Sequence, residues 1–483
     1  MVIDALKYQR LQQFGFVPTE EQGQALDAFA RFLTDRDPDA VMILRGSAGT
    51  GKTSLSGAIV RTLKAIRQKV MLLAPTGRAA KVFSLNSGYP AYTIHRRIYR
   101  EKSFAGVDGQ FNLNDNLFTD TLFMVDEASM ISNLGLGGGN FGSGCLLDDL
   151  VRFVYQGHND RLMLIGDKAQ LPPVGEEESP ALNRMMLEGY GLKVYECDLN
   201  EVLRQSQESG ILYNATVIRQ MITHDDITQL PLIRFKGFAD IVMMPGNELV
   251  ESLANSYYRV GQDETMVITR SNKRANIYNN GIRNMVLDRE DELSCGDMLM
   301  IVKNNYFWTE KERNEAKEAL NAIPPFLANG DRAKVLRVSR HMELYGFRFA
   351  TLLLQFPDYD NYEMSVTALL DTLQSEAPAL THEQQEQLFH GVEEDYQDVP
   401  LKADRMKAIR GDQYFNALQV KYAYAITCHK AQGGQWEHVY VDQGYMTDDM
   451  LTPDYIHWLY TAFTRAKDKL FLVNWPKTQT EQA

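Results

Sequence analysis

Apolar positions along this chain recur with two different periods. In "TEEQGQALDAFARFL", from Thr19 onward, they recur at helical spacing behind a capping box of Thr19 and Gln22, which predicts a helix. "VMILRG" is a short continuous apolar run and predicts a buried strand; "KTSLSGAIVRTLKAIRQ" returns to helical spacing. "KVMLLAPTGRAA" reads as strand, turn and helix start, while "TLFMVDEAS" and "RLMLIGDKAQ" are apolar strands ending in acidic loops. Strand and helix alternate, so the expected fold is α/β, a parallel sheet with helices on both faces.

The pattern turns irregular from Cys295 to about Val335, and "VLRVSRHMELYGFRFATLLLQF" then alternates as antiparallel strands do, which predicts a small β domain. Residues from about Thr367 to Asp398 are polar, acidic and helical in part; they read as an insertion or a mobile arm. Parallel-sheet character returns after "FNALQVKYAYAITCHKAQ" and lasts to "KLFLVN". "GLGGGNFGSG" (Gly135–Gly144) is a flexible surface loop by composition. There is no internal repeat.

Length adds that 483 residues exceed one core and suit two to four domains. No apolar run approaches the roughly 20 residues of a membrane span, and the first residues lack the apolar core of a signal peptide. Cys145, Cys197, Cys295 and Cys428 lie far apart with no CxxC pair, which argues against zinc and disulfides and for a cytoplasmic location. A net charge of −13 counts against a nucleic-acid partner. Acids crowd at Glu176–Glu178 and from about 376 to 398, however, so a basic groove can exist elsewhere.

The chemistry begins at "GSAGTGKT", a full phosphate-loop match between a strand and a helix. Backbone N–H groups of Gly46, Ser47, Ala48, Gly49, Thr50 and Gly51 would face phosphate oxygens, Lys52 would reach the β- and γ-phosphates of ATP, and the Thr53 hydroxyl would hold Mg²⁺. Asp126, at the end of the strand in "LFMVDEAS", would bind the same Mg²⁺, and Glu127 would orient the attacking water. Asp167 and Gln170 stand at another strand end, where Gln170 would sense the γ-phosphate or its water. Arg204 in "LNEVLRQS" and Arg465 in "LYTAFTRAKDKL" lie far along the chain; if both stabilise the transferred phosphoryl group, the nucleotide sits between two domains.

The ordered set "GSAGTGKT", "APTGRAA", "TIH", "VDEAS", "GDKAQLPPV", "LRQ", "ITCHKAQGGQW" and "YTAFTRA" resembles superfamily 1 DNA helicases, and within them the B branch of RecD-like and Dda-like helicases. The resemblance covers about residues 18 to 473. It implies two RecA-like motor domains, the first over 1–200 with a β-hairpin pin at about 96–121, the second over 201–290 and 421–483. An inserted Src-homology-3-like barrel would span 291–420, carrying the acidic arm at about 367–398, with Asn329, Gly330 and Asp331 as a turn. Phe104 or Phe111 would form the tip of the pin.

The resemblance further implies that Gln22 reads adenine and that Gly433 lies at the nucleotide. Single-stranded DNA would be held by Pro75, Thr76, Thr93 and His95 on the first motor domain and by Arg270, Asn272, Thr427, His429 and Lys430 on the second. These offer hydroxyl, ring and cationic donors suited to phosphates, without sequence reading. The family's frequent acid after "QGG" is replaced here by Gln435. What is implied, then, is a monomeric, ATP- and Mg²⁺-dependent helicase. It would move 5′-to-3′ on single-stranded DNA and open duplex junctions in replication, recombination or repair, with a possible protein partner at the acidic arm. An RNA helicase on the same motor, or an ATP-gated clamp, are the competing readings.

Overall fold

The computed structural model describes residues 18–104, 109–135, 142–201, 208–224, 227–315, 323–324 and 326–481. The first apolar runs form a six-stranded sheet in the order β3-β2-β6-β7-β1-β8, with every pairing parallel: β1 Ala40–Gly46, β2 Lys69–Ala74, β3 Ala91–Thr93, β6 Thr121–Val125, β7 Arg161–Gly166 and β8 Lys193–Leu199. All seven residues of β1 are buried, as a central strand covered on both faces must be. Val41 and Ile43 pack on one face with the helix Leu146–Tyr155; Met42 and Leu44 pack on the other with the helices Glu20–Leu33 and Lys52–Ala65. The Thr19–Gln22 capping box is present at the start of Glu20–Leu33.

Between β3 and β6 a two-stranded hairpin, β4 Tyr99–Phe104 and β5 Gly109–Leu113, leaves the sheet edge. Its tip, 105–108, lies outside the described residues, with Phe104 and Phe111 on the flanking strands. The hairpin is rooted by Tyr99, whose hydroxyl donates to buried Asp149 at 2.7 Å. Within the glycine-rich loop, 136–141 also lie outside the described residues.

The second sheet is again all parallel, in the order β16-β10-β17-β18-β9: β9 Ile241–Met244, β10 Thr265–Thr269, β16 Ala425–Thr427, β17 Trp436–Asp442 and β18 Ala466–Val473. Spliced between β10 and β16 is a closed five-stranded barrel of β11 Met298–Ile301, β12 Arg332–Leu344, β13 Phe347–Phe356, β14 Tyr362–Leu369 and β15 Leu418–Tyr422. Two RecA-like domains and a small barrel are thus the architecture. Barrel interior residues such as Leu352, Leu354 and Val366 belong to the same apolar cluster as Met266, Val267 and Ile268 of β10, so barrel and second motor domain share one core.

The acidic segment, which reads as an insertion or a mobile arm, packs on the barrel over its helical part. Thr367–Leu369 are buried residues of β14, and the helix His382–Asp395 turns Leu388, Phe389 and Val392 onto Phe347, Phe349 and Leu369 of the barrel. Its acids occupy one face while its apolar residues recur at 388, 389 and 392, a stripe on the other face too short to dominate the composition.

The barrel's root is a buried charge cluster. Asp297 is fully buried and accepts from Arg283 Nε at 3.1 Å and Nη2 at 3.0 Å, Arg289 Nη1 at 2.8 Å, the Tyr424 hydroxyl at 2.8 Å and the Ser294 N–H at 2.7 Å. Removing the carboxylate leaves guanidinium groups buried without a counter-charge. Asp297→Ala is therefore expected to destabilise this region by about 3–5 kcal/mol, measured as a lowered midpoint in denaturant unfolding followed by tryptophan fluorescence.

Candidate functional site: the cleft between the motor domains

The phosphate loop leaves β1 at Gly46 and enters the helix Lys52–Ala65. Gly49 (φ 78°) and Gly51 (φ 80°) adopt the left-handed conformation that the tight turn requires. Gly46 is held to glycine by proximity, since a Cβ there would lie 2.7 Å from Lys52 Cγ. The Lys52 ammonium folds back on its own loop, donating to the Gly46 carbonyl and, at 3.0 Å, to that of Ser47; it stands 4.0 Å from Asp167 Oδ2. Gln22 is buried, donates to the Thr50 carbonyl at 3.0 Å and accepts from the Thr19 N–H at 3.1 Å, which ties the first helix to the loop. Thr53 is exposed on the first helical turn.

β6 delivers Asp126 and Glu127 to the same end of the sheet. Glu127 has φ 52°, a conformation rare outside glycine and asparagine that the surrounding structure must hold in place. Its N–H donates to Asp126 Oδ1 at 2.9 Å. Burial, and then the Glu127 charge beside it, pushes the Asp126 carboxyl up to about 7, against a smaller opposing effect of Lys52. Gln170 lies between the two domains: with its amide turned to suit both neighbours, its nitrogen donates to Glu127 Oε2 at 3.3 Å and its oxygen accepts from Arg465 Nη2 at 3.2 Å. Buried Arg465 is further fixed by the carbonyls of Thr461 and Gly434, both at 3.1 Å.

The helix Pro453–Phe463, started by Thr452 as cap and Pro453 at its first position, presents one face across the cleft. His457 Nδ1 meets the Ala169 carbonyl at 2.9 Å, and Thr461 Oγ1 accepts from the Leu171 N–H at 2.8 Å. The Tyr460 hydroxyl donates to Asp167 Oδ2 at 2.6 Å and accepts from the Ala48 N–H at 2.9 Å. Gln432 adds a bond to the Leu171 carbonyl at 2.7 Å. Arg204 lies outside the described residues. A different arginine of the second motor domain, Arg219 on the helix Gly210–Thr223, reaches the phosphate loop and donates to Ser47 Oγ. Sequence reading missed both Arg219 and Tyr460. The available signal was positional: each neighbours buried apolar positions of a helix, Ile218 and Leu459.

The candidate nucleic-acid residues line two facing edges. Pro75 precedes Thr76, which caps the helix Gly77–Ser87 by accepting from the Ala79 N–H at 3.2 Å; Thr93 caps Ile94–Ile98 by accepting from Arg96 N–H at 3.4 Å. Burial pushes the His95 ring down to about 4, so it stands neutral at physiological pH. On the second domain, exposed Arg270 lies over the Tyr455 ring at 5.4 Å, Asn272 donates to the Glu376 carbonyl at 3.1 Å, and Thr427 immediately precedes the short helix that carries His429 and Lys430. Burial lowers the His429 ring, and lowers the Lys430 ammonium to about 8; Lys430 donates to Asn329 Oδ1. Gly433 (φ 73°) is seated against Ala79 and Thr76, while its neighbour Gly434 accepts from Arg465. Exposed Gln435 offers its carbonyl to Arg78 at 2.9 Å.

The turn Asn329–Gly330–Asp331 thus stands between these two edges. Asp331 is buried, accepts from the Tyr359 hydroxyl at 2.7 Å, and is pushed up to about 7 by burial. A Cβ on Gly77 would lie 2.6 Å from its Oδ1, so the barrel presses directly on the first motor domain.

A phosphate loop, an acidic pair and an arginine that precedes a strand of the second parallel sheet are joined across one cleft between two RecA-like P-loop domains. Residues 19–220 match the AAA domain family and residues 422–473 the UvrD-like helicase C-terminal domain, together more than half of the chain. These matches support a superfamily 1 helicase of the RecD-like B branch. It is 30% identical over 157 residues to the ATP-dependent RecD2 DNA helicase of Deinococcus radiodurans, covering 32% of this chain and 18% of that one. It is 33% identical over 171 residues to an uncharacterized protein of Methanocaldococcus jannaschii, covering 33% and 14%. The chain therefore spans under a fifth of the length of these two relatives. A solved structure of the Pif1 helicase from Bacteroides in complex with ADP-AlF3 and ssDNA aligns over 97% of this chain and 95% of that one, with a TM-score of 0.47 and 14% identity.

The Asp126 carboxyl holds its proton to about 7 in the folded protein, against 3.8 for an ordinary aspartate. Unfolding between those values releases a proton, so stability falls as pH rises from about 4 to about 7. Asp126→Asn is expected to flatten this slope in denaturant titrations between pH 5 and 8. A residual slope of the same sign remains from Asp331.

Proposed function

We propose that this chain is an ATP-driven DNA helicase that moves along one strand and displaces the other. The observation that carries the reading is the Glu127–Gln170–Arg465 chain beside the phosphate loop, because it makes the hydrolytic parts of one domain contact the charge-stabilising arginine of the other. The named activity of the Deinococcus relative, an ATP-dependent DNA helicase, points the same way.

The roles follow from position. Loop N–H groups and Lys52 bind the phosphates, with Lys52 released from its carbonyl partners. Glu127 accepts a proton from the attacking water, which Gln170 orients through its amide. Arg465 stabilises charge on the departing phosphoryl group, joined by Arg219 from the same domain. Asp126 and the Thr53 hydroxyl fit Mg²⁺ as a partial oxygen set. Among the described residues no group of three or more His, Cys, Asp or Glu is arranged to hold a metal ion, so phosphate oxygens and water would complete the shell. Mg²⁺ there would neutralise phosphate charge. Gln22, held at the loop by its bond to the Thr50 carbonyl, would read adenine, a role that rests on the family resemblance.

The strand would run past Thr76, Thr93 and His95 on one domain and Arg270, Asn272, Thr427, His429 and Lys430 on the other, with Gly433 at the contact between them. Closing the cleft on ATP and reopening it after hydrolysis moves these two edges relative to each other. The β4–β5 hairpin is the element suited to part a duplex, and the helix His382–Asp395 with its acids is the face open to a basic protein partner. Movement 5′-to-3′ and a monomeric state rest on the family resemblance. All four cysteines are free and no described helix is long and apolar enough to cross a membrane, which suits work in a reducing, aqueous compartment.

Two outcomes test the chemistry. Lys52→Ala is expected to lose ATP turnover, and normal turnover in that variant removes the phosphate-loop assignment. Arg465→Ala is expected to keep nucleotide binding while hydrolysis drops by on the order of 10³-fold or more; an unchanged rate removes its role. Polarity is read by unwinding duplexes with a 5′ or a 3′ single-stranded tail, with Glu127→Gln as the inactive control. Opening of the 5′-tailed duplex alone is the expected result. Opening of the 3′-tailed duplex alone keeps the motor and overturns the direction; opening of neither, with DNA-stimulated turnover, supports a clamp. Stronger stimulation by RNA than by DNA supports the RNA reading.

A further inference from the structure

Three groups of the phosphate loop already have partners inside the protein. Lys52 donates to carbonyls of its own loop, the Ser47 hydroxyl accepts from Arg219, and the Ala48 N–H donates to the Tyr460 hydroxyl at 2.9 Å. The last two partners come from the second motor domain. Tyr460 is 1% exposed, and its own proton is given to Asp167 Oδ2 at 2.6 Å. Its oxygen is therefore free to act only as an acceptor toward the loop.

We propose that Tyr460 is a tethered stand-in for a phosphate oxygen: it holds the nucleotide-free loop shut from the second motor domain and must be displaced before nucleotide can bind. The chemistry of the two occupants matches. The Ala48 N–H is half-buried, and an N–H partly withdrawn from water favours a fixed acceptor; both a phenol oxygen polarised by a carboxylate and a phosphate oxygen satisfy it. They cannot do so together, because one N–H has one direction. Binding of a nucleoside di- or triphosphate at Ala48 therefore releases Tyr460, and Tyr460 releases one of the ties between the domains. The neighbouring contacts of the same helix, His457 with Ala169 and Thr461 with Leu171, do not involve the loop and stay available. Tyr460 is then a positioning residue. It acts on the affinity of the loop and on the coupling of nucleotide to cleft geometry, and it does not touch the reacting atoms.

This inference rests on the reading of the loop as a nucleotide site, and the experiment separates the two. The full-length protein is titrated with ADP by calorimetry in four forms: unaltered, Tyr460→Phe, Thr461→Val and Lys52→Ala. Phe keeps the ring that fills the buried site and removes only the hydroxyl. Thr461→Val removes a hydrogen bond between the same two domains without touching the loop. Tyr460→Phe is expected to bind ADP roughly two- to tenfold more tightly, the range one hydrogen bond supports, and to show a lower KM for ATP in the absence of DNA. Thr461→Val is expected to bind as the unaltered protein does. Equal or weaker binding by Tyr460→Phe overturns the proposal, as does the same gain in Thr461→Val, which would mark general loosening of the interface. If the unaltered protein binds no ADP, or binds it as well with Lys52→Ala, the nucleotide reading itself fails.

Discussion

Backbone donors aimed at a common point must have acceptors wherever water is excluded, and the phosphate loop concentrates this demand at a single turn. Much of the cleft is organised around meeting it. β1 supplies the buried strand from which the loop springs, Gly49 and Gly51 supply the reversed dihedrals, and Gln22 closes the far side through the Thr50 carbonyl. What remains open is met by the second domain through Tyr460 and Arg219. The loop is thus completed by a part of the chain more than 170 residues away, and the two motor domains are joined at the place where ligand would bind.

Charge is arranged on the same logic. A chain with net charge −13 keeps cationic groups at the cleft, with Lys52, Arg465 and Arg219 at the loop and Lys430 and Arg270 on the facing edge, while acids gather on the helix His382–Asp395 and at Glu176–Glu178. Asp126 and Glu127 are like charges side by side, and one of them holds a proton to about neutral pH. A cation delivered there displaces a proton, which couples metal binding to pH.

Local chemistry was legible in the sequence to the extent that it was contiguous. The loop, the capping box of Thr19 and Gln22, and the strand-end acids Asp126 and Glu127 each consist of residues within a few positions, so spacing alone exposed them, whereas the turn at Asn329–Asp331 came from the family resemblance. The alternation of strands and helices gave the parallel sheets for the same reason. Tyr460 and Arg219 were hidden because their partners lie 412 and 172 residues away, and a tyrosine or arginine on an amphipathic helix looks like any other. The packed helix at 382–395 was hidden by averaging: eight charged or amide side chains outweighed three apolar ones that face the barrel. Arg465 and Gln170 were each singled out near the nucleotide, but their pairing across the cleft is one that periodicity could not have assembled.

The splice between barrel and motor is stiff. β15 ends at Tyr422 and β16 begins at Ala425, with only Ala423 and Tyr424 between them; both are buried, and Tyr424 is pinned through its hydroxyl to Asp297. β16 then runs without interruption into Thr427, His429 and Lys430. A joint two residues long, bolted at its midpoint, has no slack in which to absorb rotation. A rotation of the barrel would therefore carry the edge bearing Thr427, His429 and Lys430 with it, and a body leaning on the barrel from outside would tilt that edge as a handle turns a door.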